Sequence, residues 1–81
     1  MNRLEMIILA ILNKKNATSP ISAISLYEIK EYASLQQSIA TIYRTIQKLY
    51  REQNIGRGLK DSKSDTYYAT ESGLNLLKEM I

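Results

Sequence analysis

The sequence has no cysteine and no histidine. Their absence excludes disulfides, thiolate chemistry, imidazole general-base catalysis and nearly every zinc site, because zinc takes Cys or His ligands almost without exception. Phenylalanine and tryptophan are also missing, and there is one proline. The longest apolar run, Met6 to Leu12, falls far short of the roughly 20 residues needed to span a bilayer. It follows Arg3 as a signal-peptide core would, but Glu5 interrupts the flank. Lys14 and Lys15 stand where a small-residue cleavage site belongs. A soluble, cytoplasmic chain with no membrane partner is expected, in which the sequon-like Asn16-Ala17-Thr18 is a chance match.

What remains is 81 residues, 44% hydrophobic and 23% charged, with a net charge of +3. That composition describes one small globular domain spanning residues 1–81. A domain this short buries only about 60–65% of the surface its unfolded chain exposes. With disulfides and zinc excluded, oligomerisation is the support left to it. An enzyme is hard to assemble from these residues, because the carboxylates and serines have no His, no Cys and no Gly-rich phosphate loop to work with. Asp61 and Asp65 flank a turn, which accounts for them without a metal. Neither catalysis nor a cofactor is expected.

The punctuation divides the chain into five segments. Asn2 to Lys15 reads as a helix capped by Asn2, with Leu4, Ile7, Ile8 and Ile11 on one stripe and Met6, Leu9 and Ala10 opposite. A helix apolar nearly all round is buried on two sides. Ser25 and Glu28 form a capping box that starts a short helix, Leu26 to about Ala33, facing inward through Leu26, Ile29 and Ala33. The link Ser34-Leu-Gln-Gln offers a capping box that competes with Ser38, and Ser38 is the preferred cap of a third helix reaching about Gln53. There Ile39, Ile42, Ile46, Leu49 and Tyr50 recur at helical spacing. The period then changes. Ile55–Lys60 and Thr66–Thr70 flank the polar turn Asp61-Ser-Lys-Ser-Asp65 and read as a hairpin, anchored by Ile55, Leu59 and one of Tyr67 or Tyr68. Thr70 caps a last helix, Glu71 to Ile81, with Leu74, Leu77 and Ile81 on one face and Leu76 and Met80 on another. Helix, helix, helix, hairpin, helix is a mainly α winged helix-turn-helix with a small β-hairpin.

Charge is unevenly spread. Residues 44–63 carry Arg44, Lys48, Arg51, Arg57, Lys60 and Lys63 against Glu52 and Asp61, whereas residues 64–81 are net acidic. One sign concentrated on one part of a small domain suits a polyanion, since each neutralised phosphate releases condensed counterions. Opposite the apolar stripe of the third helix lie Gln37, Thr41, Arg44, Lys48 and Arg51, with Thr45 at the edge. Arg and Lys donate to guanine or phosphate, Gln pairs with adenine, and Thr offers a hydroxyl or meets the thymine methyl. An ordinary solvated helix face uses the same residue types. Arg57, Lys60 and Lys63 cluster at the hairpin, where Gly56 and Gly58 permit either a close backbone approach or a strand bulge. Tyr43, at the margin of the buried stripe, is expected to place its ring in the core and its hydroxyl towards a phosphate.

Ser38-Ile-Ala-Thr-Ile-Tyr43-Arg-Thr-Ile-Gln-Lys-Leu49, then Ile55 and the wing, then Thr66-Tyr-Tyr-Ala-Thr70-Glu-Ser-Gly73-Leu, resembles the PadR-like winged-helix transcription regulators. The likeness extends to the first helix and to Leu26-Tyr-Glu-Ile29. It implies a dimeric, sequence-specific binder of double-stranded DNA, usually a repressor. The third helix would enter the major groove and the wing would touch backbone or minor groove, with Tyr43 at or near the DNA. That family commonly has a glycine where Gln53 stands, so Gln53 or Asn54 must take the left-handed cap, and Asn54 does so more readily.

The expected DNA-contacting set is therefore Gln37, Ser38, Thr41, Tyr43, Arg44, Thr45, Lys48, Arg57, Lys60 and Lys63. The spare apolar residues Met6, Leu9, Ala10, Leu76 and Met80 are expected to meet across a two-fold axis in a homodimer. Such a dimer places its two reading helices about 34 Å apart and calls for an inverted-repeat site. Other readings are a DNA-binding adaptor in plasmid or phage segregation, a winged-helix module whose partner is a protein, and a single-strand binder that stacks bases on its tyrosines.

Overall fold

The computed structural model describes residues 2–34 and 36–80. Its elements are α1 (Arg3–Lys14), a short 3-10 turn (Pro20–Ser22), β1 (Ile24–Ser25), α2 (Leu26–Ala33), α3 (Ile39–Arg51), β2 (Ile55–Arg57), β3 (Thr66–Ala69) and α4 (Glu71–Glu79). Every helix starts on the residue whose side chain caps it. The side-chain oxygens of Asn2, Ser25, Ser38 and Thr70 accept from the backbone N–H groups of Glu5, Glu28, Thr41 and Gly73. Ser25 and Glu28 complete the reciprocal box at the head of α2. The expected position of Ile81 on α4 lies outside the described residues, as does Leu35 in the link before α3.

The chain reverses after α1 and after α3 by the same device. Asn16 and Gln53 adopt left-handed conformations, with φ of 57° and 63°. The next amides, of Ala17 and Asn54, reach back to the carbonyls of Leu12 and Leu49 at 2.8 and 2.9 Å. This is the double-bonded Schellman closure. The expectation that Asn54 would take the left-handed cap is corrected. Asn54 is instead buried, its Oδ1 accepting from Ser72 Oγ at 2.9 Å and its carbonyl from the Thr70 amide at 3.2 Å. It splices the end of α3 to the start of α4, and the left-handed residue is the one before it. Gly73 completes the splice, because a β-carbon there would collide with the Asn54 carbonyl oxygen.

The hairpin belongs to a three-stranded antiparallel sheet in the order β1-β3-β2. Ile24 pairs with Tyr67 and Ser25 with Thr66 on one side, and Ile55, Gly56 and Arg57 pair with Ala69, Tyr68 and Tyr67 on the other. In the sequence the residues of β1 form only the approach to α2, since two residues carry no alternation to detect. Gly56 lets the Tyr68 ring lie across β2, and Gly58 lets the wing close on Pro20 and Ala23.

The core gathers Ile8, Leu9 and Leu12 of α1, Leu26 and Ile29 of α2, Ile42, Ile46 and Leu49 of α3, Ile55, Tyr67 and Ala69 of the sheet, and Leu77 of α4. Two expectations fail against it. Leu9 has no exposed surface and so is unavailable to a partner chain, because α1 packs on α2, α3, α4 and β3 rather than on one layer. Leu59 is 66% exposed and anchors nothing; Tyr67 is the buried tyrosine of the wing.

Candidate nucleic-acid interface

In α3 the core takes Ile42, Ile46 and Leu49, which leaves Ala40, Arg44, Gln47 and Arg51 in a row on the opposite side at helical spacing. Ala40, Arg44 and Arg51 are exposed and Gln47 is partly covered. Sequence reasoning missed Ala40 and Gln47 as surface residues, although the i, i+4, i+7, i+11 series was legible without coordinates.

The wing runs alongside this helix. Near the C-terminal end of α3 the Arg57 guanidinium lies over the Tyr50 ring, 4.8 Å from its centroid. Near the N-terminal end, Lys63, Ser64 and Asp65 of the wing tip face Ala40 and Tyr43 across a groove of about 430 Å³ that Leu26, Tyr27, Ile39 and Tyr67 also line. Tyr43 is therefore not a core residue with a protruding hydroxyl. Its side chain is 44% exposed and walls the groove, because the core stripe of α3 passes one residue to its side. Tyr50, placed by its spacing on the apolar stripe, is likewise exposed and serves as the platform for Arg57. Burial pushes the Tyr67 hydroxyl above its ordinary pKa, and nearby Asp65 adds to the effect.

The remaining residues divide by what already holds them. Gln37 precedes the helix, exposed, with its carbonyl accepting from Lys30 Nζ at 2.8 Å. The Ser38 hydroxyl accepts from the Thr41 amide and donates to Thr41 Oγ1 at 3.0 Å. Thr41 Oγ1 also accepts from Arg44 at 3.5 Å. Thr45 Oγ1 donates to the Thr41 carbonyl at 3.0 Å, so its hydroxyl is committed to its own helix. Exposed Lys60 stands 3.8 Å from half-buried Asp65, and Lys63 is exposed at the wing tip.

Lys48 departs most from its expected role. Its ammonium is turned towards α1, where it donates to Glu5 Oε1 at 2.7 Å. The Glu5 side chain is only 2% exposed, and it also accepts from Asn2 Nδ2 at 3.3 Å. The bond to Glu5, and then its charge, raise the Lys48 pKa. A cation whose charge is matched inside the protein contributes less to an anion-binding surface than Arg44 or Arg51 beside it.

Of the expected dimer residues, Ala10 and Met80 are exposed, Met6 and Leu76 are half-buried, and Leu9 is internal. No described helix is long and apolar enough to cross a membrane.

No protein-family model matches this sequence. No curated protein is significantly similar to it. Solved structures share its fold. TubR from Bacillus megaterium pBM400 superposes with a TM-score of 0.86 at 25% identity, over 99% of this chain and 86% of that one. The DNA-binding TubR fragment from Clostridium botulinum does so with a TM-score of 0.76 at 27% identity, over 100% and 98%. MepR from Staphylococcus aureus, solved as a complex with DNA, matches with a TM-score of 0.78 at 17% identity over 99% of this chain but 61% of its own. The architecture is thus the winged helix expected from the order of elements, with β1 added.

Proposed function

We propose that this chain is a sequence-specific DNA-binding protein without catalytic activity, acting as a dimer on an inverted repeat. In this reading α3 lies in the major groove and the wing lies on the backbone or in the minor groove. The observation that carries it is the stacking of Arg57 on Tyr50, which ties wing and helix into one basic surface. That surface holds Arg44 and Arg51 on α3 and Arg57, Lys60 and Lys63 on the wing. The description of the C. botulinum TubR fragment as DNA-binding, and of MepR in complex with DNA, support it.

The 81 residues act as one domain, and two copies meet through Met6 and Ala10 of α1 and through Leu76 and Met80 at α4. The resemblance of the α3 and β3–α4 sequences to PadR-like regulators favours a repressor. A segregation adaptor would use the same surface on its own DNA site. In either case the protein works in the cytoplasm, where its DNA is.

Fluorescence anisotropy on duplex fragments flanking its own gene, against random duplex at two salt concentrations, tests this. Binding to one fragment that weakens steeply with salt is the expected result. Equal binding to all fragments, or none at low salt, would leave a winged-helix module whose partner is a protein. Sedimentation at micromolar concentration tests the dimer, and a monomer with and without DNA would reject it.

A further inference from the structure

The outward row of α3 contains one polar side chain whose hydrogen bonding is incomplete. Gln47 Nε2 is buried and has no hydrogen-bond partner, and among the described residues it is the buried side-chain nitrogen or oxygen in that condition. Folded proteins satisfy nearly all such groups, because a buried donor deprived of water is costly. A leucine or methionine would fill the same position without the cost, so the amide asks for another explanation.

Its neighbours narrow that explanation. Arg44 and Arg51, one turn away on either side, are donors only. The hydroxyls of Thr41 and Thr45 already bond within the helix. Gln47 is the one amide side chain in α3, and it holds a donor and an acceptor side by side, the donor without a hydrogen-bond partner among the described residues. Its side chain has staggered wells at χ1 and χ2, and a change of rotamer there swings the whole amide from its covered position to the outer side of the helix when a partner arrives. In the major groove the base edge that matches an adjacent donor and acceptor is that of adenine, whose N7 accepts and whose N6 donates.

We infer that Gln47 reads one base pair of the site, its Nε2 donating to adenine N7 and its Oε1 accepting from adenine N6. The inference rests on the DNA-binding reading above and adds to it the base that is read.

The test begins by enriching a motif from a randomised duplex library with the wild-type chain, then measuring every single-base-pair variant of that motif. Replacing the adenine read by Gln47 should weaken wild-type binding about 5- to 150-fold, the range of one bidentate base contact. Gln47→Met should bind the motif and that variant equally, keep the wild-type preferences at the other positions, and melt no lower than wild type. A purely structural role would lower the melting temperature and leave the relative preferences unchanged. Gln47→Glu, which only accepts, should move the preference from adenine to cytosine and serves if the methionine variant fails to fold. Wild-type preferences retained at every position by both variants would overturn the assignment while leaving a sequence-specific DNA-binding protein. If the wild type itself enriches no motif, the DNA-binding reading falls and the assignment falls with it.

Discussion

Lys48 Nζ lies 2.7 Å from Glu5 Oε1, so a lysine of the helix proposed to enter DNA is held from behind by a carboxylate at the start of α1. Glu5 is nearly buried, and Lys48 is its salt-bridge partner. Glu5→Gln should therefore release Lys48 to the surface. Affinity for all duplexes should rise, and the slope of log K against log salt should steepen by about 0.9 for the one phosphate gained. An unchanged slope would mean that Lys48 stays off the DNA even when free. Lys48→Met alone should lower the melting temperature by leaving Glu5 buried without its counter-charge, and Glu5→Gln in the same chain should recover most of the loss.

Arg44 and the wing lysines should separate by what they lose. Arg44→Ala is expected to weaken binding to the specific site by about 1–3 kcal/mol while changing random duplex little. Lys60→Ala and Lys63→Ala should weaken every sequence alike, each reducing the salt slope by about 1. Equal losses on specific and random DNA for Arg44→Ala would assign it to phosphate, a role its hydrogen bond to Thr41 also permits.

Gln53 bears a side chain at a φ of 63°, where glycine is at ease. Gln53→Gly should stabilise the fold by about 0.5–1 kcal/mol, the relief of left-handed strain being partly offset by a more flexible unfolded chain. Asn54→Gly should do the reverse, since it deletes the bond to Ser72 without relieving any strain. Urea denaturation of the two variants is the comparison to make, and a Gln53→Gly variant weaker than wild type would show that its side chain has a role of its own.

Stability should decline on the alkaline side. The pKa values of both Tyr67 and Lys48 are raised in the folded chain, from ordinary values of 10.0 and 10.5. Above pH 10 an unfolded chain therefore releases these protons before the native one does, and stability falls as pH rises until the native groups titrate as well. Below about pH 9 neither group contributes an appreciable slope. Tyr67→Phe should reduce the alkaline slope by up to one proton in unfolding titrations, and a slope unchanged by that substitution would show that Tyr67 is not the source.

Much of the fold was legible because local chemistry and the apolar period agree in this chain. The four caps and the stripe of α3 are each set by residues within a few positions of one another, which is what a sequence displays. What was hidden depends on partners far along the chain. The pairing of Ile24 with Tyr67 leaves no trace in a two-residue strand. Leu9 looked spare because a helical wheel cannot tell a face turned to solvent from one turned to α4. Nothing near Glu5 in the sequence marks it as buried, because its counter-ion stands 43 residues away. The candidate site followed the same rule. Its charges and their spacing could be read, but Tyr50 as a platform for Arg57 exists only once helix and wing are brought together, and the buried, unmet donor of Gln47 only once the chain has folded.

The double pairing of β3 also sets an order of events during synthesis. β3 is the middle strand, and Tyr67 and Ala69, both buried, lie well after the three helices whose core they complete. While a ribosome still holds residues 66–77, α1, α2 and α3 lack the layer that covers them, and Ile24 and Ser25 have no strand to join. Acquisition of the native state thus waits until residues 66–77 have left the ribosome. A ribosome stalled in the wing would present a helical, unclosed intermediate with its apolar floor open, the kind of species that chaperones engage.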